Sequence, residues 1–164
     1  MNCILFDWGD TLMRVFPEYD GAMADWPQVE ALPGALETLA VLHPSYTLAV
    51  ATNAQNSDEG EIWRALRRVG LANQLDKVYC FRSIGHLKPS KEFFAYILAD
   101  LRLSTDAVIM VGDDWESDIV GANRAGLRAV WLNEQNGRET NYDRVQTIHS
   151  LLDLTGALQR WDPI

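Results

Sequence analysis

Acidic, hydroxyl and amino side chains follow four short apolar segments of this sequence. They are Asp7, Asp10 and Thr11 after the first segment, Thr52 and Asn53 after the second, Lys88 beyond the third, and Asp113 and Asp114 after the fourth. Neighbouring carboxylates repel one another unless a cation neutralises them, and their hard oxygen atoms suit Mg²⁺. A phosphoryl group fits between such a cation and a lysine, so the set indicates phosphoryl chemistry assisted by a divalent metal.

The segments that must position these groups read as strands of a parallel sheet. Five short apolar runs predict strands at residues 2–8, 46–52, 77–81, 107–113 and 128–133. Longer stretches of helical period separate them, a pattern that is typical of a parallel sheet with crossover helices. We therefore predict a doubly wound, Rossmann-like three-layer α/β/α sandwich with a mainly parallel five-stranded sheet. Ligands bind such folds at the carboxyl ends of the strands, where the reactive groups lie.

Local signals place the helices between these strands. We expect helices from Pro33-Gly34 to about residue 43, from a Ser57 cap onward, from a Ser90 cap onward, over about 116–125, and around the C-terminal leucines 151–158. Serine is a preferred residue at helix N-caps because its side chain accepts a free backbone N–H. Residues 13–27 and 134–144 predict irregular structure.

The length and net charge of the chain limit the classes of function that it could have. The chain has 164 residues, which argues for a single domain over 1–164, since domains typically have roughly 100 to 200 residues. Its net charge of −9 argues against nucleic acid as a partner, and no apolar run reaches the roughly 20 residues of a membrane span. The first residues lack a basic leader, so we expect a cytoplasmic protein. Cys3 and Cys80 lie in apolar runs and predict buried thiols.

The order of the motifs carries a resemblance to a known family. The segments are Phe6-Asp7-Trp8-Gly9-Asp10-Thr11-Leu12, Thr52-Asn53, Lys88-Pro89 and Gly112-Asp113-Asp114-Trp115-Glu116-Ser117-Asp118. In this order and at strand ends, they resemble the haloacid dehalogenase-like hydrolase superfamily, most of whose members are Mg²⁺-dependent phosphatases. The resemblance covers nearly the whole chain and implies a phosphohydrolase that cleaves phosphomonoesters.

The resemblance implies catalytic roles for the matched residues. Asp7 would attack phosphorus and form an aspartyl-phosphate, which splits one barrier into two. Thr52 and Lys88 would hold phosphoryl oxygens, and Lys88 would also offset the charge of Asp7. Asn53 would contribute to substrate binding beside Thr52.

The resemblance also implies a metal site. Mg²⁺ would bind the carboxylates of Asp7 and Asp113 and the backbone carbonyl of Gly9. Asp114 would be a further ligand around the metal, and Asp118 would support the site by orienting waters or Lys88.

One position departs from the family's pattern. Gly9 stands where these phosphatases carry a second aspartate, the general acid and base, and Asp10 follows it. Three interpretations remain open: Asp10 takes over the role through a flexible Gly9, the substrate has a leaving group that needs no acid, or the protein binds phosphate without efficient turnover. General acid catalysis typically contributes about 10² to 10⁴ in rate, so the replacement of this aspartate by Gly9 bears directly on turnover.

The spacing of the motifs predicts an open site. The intervals of residues 13–51 and 53–87 are too short to hold a cap domain. An open site suits a phosphorylated macromolecule, or a phosphorylated small molecule enclosed by a second subunit of a homo-oligomer. Trp8, Trp26 and Trp115 lie near the motifs, where an exposed indole would give the substrate an apolar wall, although packing in the core is the simpler interpretation. Two other functions remain: a non-catalytic phosphoryl- or partner-binding protein, and a dehalogenase or phosphonatase.

Overall fold

A computed structural model describes residues 2–161. Within this range six strands form one parallel sheet in the order β3-β2-β1-β4-β5-β6. The strands are β1 (Asn2–Phe6), β2 (Tyr46–Ala51), β3 (Lys77–Tyr79), β4 (Val108–Gly112), β5 (Arg128–Leu132) and β6 (Val145–Ile148). The doubly wound fold is confirmed, with one strand more than the five predicted.

Helices cover both faces of the sheet. They are α1 (Ala35–Leu42), α2 (Glu59–Arg68), α3 (Phe81–Ile84), α4 (Lys91–Leu101), α5 (Gly121–Arg124) and α6 (Leu154–Gln159), with a π-helical segment at Trp115–Val120 and short 3₁₀ turns that include Met23–Asp25 and Leu151–Asp153. In the described part of the chain, none of these helices has the length and apolar character needed to cross a bilayer. Residues 2–161 contain no inserted cap domain, as the motif spacing predicts.

Alternate residues of the central strands enter two separate cores. Ile4 and Phe6 of β1 pack with α1, α2 and α6, whereas Cys3 and Leu5 pack with α3, α4 and α5. This alternation follows from the two-residue period of a strand, and burial on both faces explains the continuous apolar sequence. Cys3 and Cys80 are free and buried, which confirms their prediction as small core residues.

Four local predictions need correction. Asp58, not Ser57, caps α2: its side chain accepts the Glu61 N–H while Glu61 accepts the Asp58 N–H, both at 2.8 Å, and this reciprocal pair satisfies two backbone donors. Phe81 begins the short α3 instead of ending β3. The predicted helix over 116–125 is a π-helical segment followed by α5. A sixth strand, β6, lies beyond the polar residues 134–144.

The sheet brings two of the predicted acids together. Strand order reverses around β1 and β4, which are hydrogen-bonded neighbours, and ligands bind such folds outside the carboxyl ends of these strands. Asp7 directly follows β1, and its N–H continues the ladder to the Val111 carbonyl of β4 at 2.8 Å. Asp113 directly follows β4, so both carboxylates leave the sheet at the same edge.

Candidate active site

Three carboxylates converge at this edge of the sheet. Asp7, Asp113 and Asp118 each offer an oxygen within 4.8 Å of the other two. Asp118 is fully buried, and its approach requires a glycine in the strand: a Cβ on Gly112 would lie 2.1 Å from the Asp118 Oδ2. Thr11, also fully buried, donates its hydroxyl to Asp113 at 3.0 Å and holds that carboxylate in place.

Lys88 lies at the centre of the cluster and is 3% exposed. Its Nζ donates to Asp7 at 2.9 Å, to Asp118 at 2.7 Å and to the Ala51 carbonyl at 2.7 Å. An ammonium group has three N–H donors, so these three acceptors use them all. Lys88 therefore neutralises and orients Asp7, and it can donate to a phosphoryl oxygen only by exchanging one of these bonds.

The electrostatics of the cluster show an excess of negative charge. Burial, then the charges of Asp7 and Asp118, raise the pKa of Asp113 to about 8 from the usual 3.8. Burial and Asp7 raise the pKa of Asp118 to about 7, although Lys88 opposes the shift. Burial would lower the pKa of Lys88, but Asp7 and Asp118 outweigh burial and raise it. One ammonium group does not balance three carboxylates, so a further cation is needed for all three to ionise near neutral pH.

This donor set fits Mg²⁺. Hard carboxylate oxygens in a partly buried cluster are its usual protein ligands, and it uses only one or two of them while keeping several waters. Asp7 and Asp113 would hold the ion directly. Both oxygens of Asp118 already accept N–H groups, one from Lys88 at 2.7 Å and one from the Asp114 backbone at 3.0 Å, so Asp118 acts through these partners.

Asp114, which was predicted as a further metal ligand, lies outside the cluster of three carboxylates. Its side chain is the N-cap of the π-helical segment and accepts the Ser117 N–H at 2.7 Å. The cap explains the side chain's position, because a helix start leaves backbone donors that an aspartate satisfies well.

Thr52 and Asn53 have different roles at the end of β2. The Thr52 Oγ1 accepts the Ala54 N–H at 3.1 Å, which leaves its hydroxyl proton able to donate into the site. The Asn53 amide instead binds the Lys88 backbone twice, accepting from its N–H at 2.8 Å and donating to its carbonyl at 2.9 Å. Asn53, which was predicted to bind substrate, lines the cleft, and its side-chain contacts fasten the Lys88 loop to β2.

A cleft of about 420 Å³ opens above these residues. Its lining comprises Asp7, Trp8, Gly9, Val15, Met23, Trp26, Thr52, Asn53, Ala54, Asn56, Lys88, Asp114 and Ser117. Val15 and Met23 were predicted only as part of an irregular stretch and their place at the site was missed, whereas Trp26 was named as a candidate apolar wall. The apolar character of Val15 and Met23 within a polar, glycine-containing stretch was the available signal.

Asp10 lies outside this cleft, and Trp8 lines it while remaining almost fully buried. Asp10 lines a separate depression of about 370 Å³ together with Arg14 and Asp113. Its carboxylate accepts the Val15 N–H at 2.9 Å and its own N–H donates to the Met13 carbonyl at 2.7 Å, so the turn is fixed and the expected swing toward Asp7 is not supported. Trp8 is only 2% exposed and its indole N–H donates to the Met13 sulfur, so the ring packs in the core instead of forming an open wall.

The sequence of the chain matches a protein-family model over most of its length. Residues 6–132 match the haloacid dehalogenase-like hydrolase model, a range that contains every residue of the carboxylate cluster and Lys88. The chain belongs to this family. Membership confirms the resemblance that the four motifs predict, and it accounts for the strand order and for the placing of the acids at the ends of β1 and β4.

Other members of the haloacid dehalogenase-like family resemble this chain in sequence and in structure. A ribulose-1,5-bisphosphate 5-phosphatase of Halopiger xanaduensis is 32% identical over 123 residues, which cover 73% of this chain and 50% of the relative. The chain spans about half the length of the curated relatives it matches.

Two solved structures extend the comparison. An uncharacterized protein from Listeria monocytogenes serotype 4b is 30% identical and superposes over 100% of both chains with a TM-score of 0.86. A 2-haloacid dehalogenase from Pseudomonas syringae pv. Tomato DC3000 is 36% identical with a TM-score of 0.68, over 82% of this chain and 55% of that one.

Proposed function

We propose that this protein is a Mg²⁺-dependent phosphomonoester phosphatase that acts through an aspartyl-phosphate on Asp7. The observation that carries the proposal is the cluster of Asp7, Asp113 and Asp118 around the buried ammonium group of Lys88. The similarity to a sugar-bisphosphate phosphatase supports the same reaction class.

The reaction proceeds in two displacements. A carboxylate oxygen of Asp7 attacks phosphorus, the bond from phosphorus to the ester oxygen breaks, and its electron pair leaves with that oxygen. Water then attacks phosphorus, releases inorganic phosphate and restores the Asp7 carboxylate. Bound Mg²⁺ would supply positive charge to the phosphoryl oxygens during both displacements.

The chain's own residues prepare these displacements. Lys88 offsets the charge of Asp7 and fixes its orientation from the protein side through an N–H bond at 2.9 Å. Thr52 donates its hydroxyl to a phosphoryl oxygen. Asn53 holds the Lys88 loop against β2, and Thr11 holds Asp113.

The carboxylate cluster also supports this proposal over dehalogenation, the alternative that the similarity to a 2-haloacid dehalogenase raises. Displacement of halide from a 2-haloacid needs one attacking carboxylate and a site that accepts the substrate's own carboxylate. Asp113 and Asp118 add negative charge beside Asp7, which repels such a substrate but favours a divalent cation.

The proposal is tested with p-nitrophenyl phosphate and a panel of phosphorylated metabolites, each with and without Mg²⁺. We expect turnover that requires Mg²⁺ and is abolished by Asp7→Asn. Asp10→Asn is the matched control: it lies in the same loop outside the cleft, its amide oxygen can still accept the Val15 N–H, and it should retain most of the activity.

Three results would contradict the phosphatase proposal. Asp7→Asn activity near that of the parent would identify a different nucleophile. Mg²⁺ binding without turnover on any substrate would favour a phosphoryl-binding protein. Chloride release from 2-haloacids would show a dehalogenase.

A further inference from the structure

The cleft around Asp7 has an apolar part that the phosphatase reaction does not use. Val15, Met23, Trp26 and Ala54 supply it. Met23 and Trp26 are mostly buried, at 5% and 8% exposure, while Val15 is 37% exposed and accessible to a ligand.

Val15 lies against the position where the departure from the family pattern occurs. A Cβ placed on Gly9 would come within 2.8 Å of the Val15 Cγ2, closer than real Cβ contacts allow. The valine methyl group therefore takes up the space into which a side chain at position 9 would extend. A leaving group placed beside position 9 would meet this hydrocarbon surface instead of a carboxylic acid.

The apolar surface is held in place by hydrogen bonds to fixed elements. The Val15 N–H donates to the Asp10 carboxylate at 2.9 Å. Farther along, Arg68 of α2 donates to the Trp26 carbonyl at 2.7 Å, and Asn56 donates to the Gly21 carbonyl at 2.8 Å. The rings of Phe16, Tyr19 and Trp26 pack in series with centroids 5.8 Å apart. The surface is thus preformed for a ligand.

The glycine at position 9 and the apolar lining of the cleft favour the same kind of leaving group. Without an acid beside it, the expelled oxygen must carry its negative charge alone, which a phenolate does far better than an alkoxide because the ring delocalises the charge. An aromatic ring also gains free energy by leaving water for an apolar wall. A cleft of about 420 Å³ accommodates a phosphoryl group with one or two rings.

We propose that the physiological substrate is an aryl phosphate, a phosphomonoester of a phenol-like alcohol, and that Val15 is a specificity-determining contact for its ring. This inference rests on the proposed phosphatase function. In the step concerned, the Asp7 oxygen bonds to phosphorus and the bond from phosphorus to the aryl oxygen breaks. The electron pair stays on the phenolate, which then takes a proton from water.

The first test compares esters that separate ring contact from leaving-group chemistry. We expect kcat/KM to rise about fivefold from phenyl to 1-naphthyl phosphate, since the second ring buries more apolar area at a similar leaving group. Val15→Thr keeps the branched shape but replaces a methyl group with a hydroxyl, and it should remove most of this rise. Val41→Thr is the matched control, because Val41 is 63% exposed on α1 and does not line the cleft.

The second test measures binding without turnover. In the presence of Mg²⁺, calorimetry should show phenylphosphonate binding about tenfold more tightly than methylphosphonate, with the difference reduced in Val15→Thr and kept in Val41→Thr.

The outcomes separate the two proposals. Equal kcat/KM on butyl and phenyl phosphate, or equal affinity for the two phosphonates, would overturn the aryl specificity and leave the phosphatase function standing. A preference for phenylphosphonate without hydrolysis of any ester would support the aryl site and overturn the phosphatase function.

Discussion

Introducing an aspartate at position 9 tests whether the site lacks a general acid for the leaving group. Gly9→Asp alone would force a Cβ to within 2.8 Å of the Val15 Cγ2. Overpacking of this kind typically costs about 1–3 kcal/mol, and each kcal/mol lowers the Tm of a chain of this size by about 2–4 °C. Val15→Ala removes the contacting methyl group, so the double variant Gly9→Asp/Val15→Ala should recover this loss.

The double variant should gain activity selectively. General acid catalysis is worth about 10² to 10⁴ in rate, and the gain belongs to substrates whose leaving group needs a proton. Relative to Val15→Ala, we expect kcat on butyl phosphate to rise at least about a hundredfold, and kcat on p-nitrophenyl phosphate to change only a few-fold, because nitrophenolate leaves unaided.

Steady-state kinetics on the two esters provide the measurement, and thermal unfolding with and without Mg²⁺ shows that each variant folds and binds metal. A folded, Mg²⁺-binding double variant with an unchanged ratio of butyl to p-nitrophenyl turnover would refute the reasoning. It would mean that residue 9 does not face the leaving group.

Other consequences of the carboxylate cluster can be measured directly. Because burial and neighbouring carboxylates raise the pKa of Asp113 to about 8, the metal-free folded protein keeps a proton that the unfolded chain releases above about pH 4. Its stability should therefore fall as pH rises from about 4 to 8, and Mg²⁺ should raise the Tm more at pH 8 than at pH 5. Asp113→Asn should reduce this difference without abolishing it, because the raised pKa of Asp118 contributes a pH dependence of the same sign. Unchanged Mg²⁺ affinity of Asp113→Asn by calorimetry would disprove the ligand assignment. Lys88→Met should abolish turnover and lower the free energy of unfolding more at pH 8 than at pH 5, because the buried Asp118 loses its cationic partner and must take up a proton; an equal loss at both pH values in urea unfolding would contradict this charge pairing. Gly112→Ala should lower both the Tm and the Mg²⁺ response, because its Cβ would lie 2.1 Å from the Asp118 Oδ2, whereas Gly156→Ala in α6, with nothing within 4 Å of its Cβ, should leave both unchanged or raise the Tm slightly.

Much of the fold and the reactive edge follows from local sequence. Strands β1, β2 and β4 are short apolar runs followed directly by Asp7, Thr52 and Asp113, so the sequence places each strand end to within two residues. Because the strands pair in parallel, their carboxyl ends then lie together at one edge of the sheet. The cluster could be predicted because each of its strands places its reactive residue at the same edge.

The remaining features depend on contacts that no local pattern records. Strand β6 has only four residues, two of them polar, and lies at the sheet edge, where apolar content is a weak signal. Asp118 rather than Asp114 joins the cluster because the chain makes a π-helical turn, in which the Gly121 N–H reaches the Glu116 carbonyl five residues back. Apart from Trp26, the apolar lining of the cleft was not predicted, because residues 15–26 have no periodicity that assigns them to one face.

Different parts of the chain supply the reactive groups and the apolar lining of the cleft. The reactive groups stand on strand ends and on the loop of Lys88, whereas the apolar lining comes mainly from a surface segment tied to α2 by Arg64 and Arg68. Under the proposed aryl specificity, substitutions in this segment would alter the ring contact without moving a carboxylate, so selection could change the substrate preference while the chemistry stays constant. Exchanging residues 15–26 between homologues, together with the two arginines, is thus a direct route to transplanting specificity.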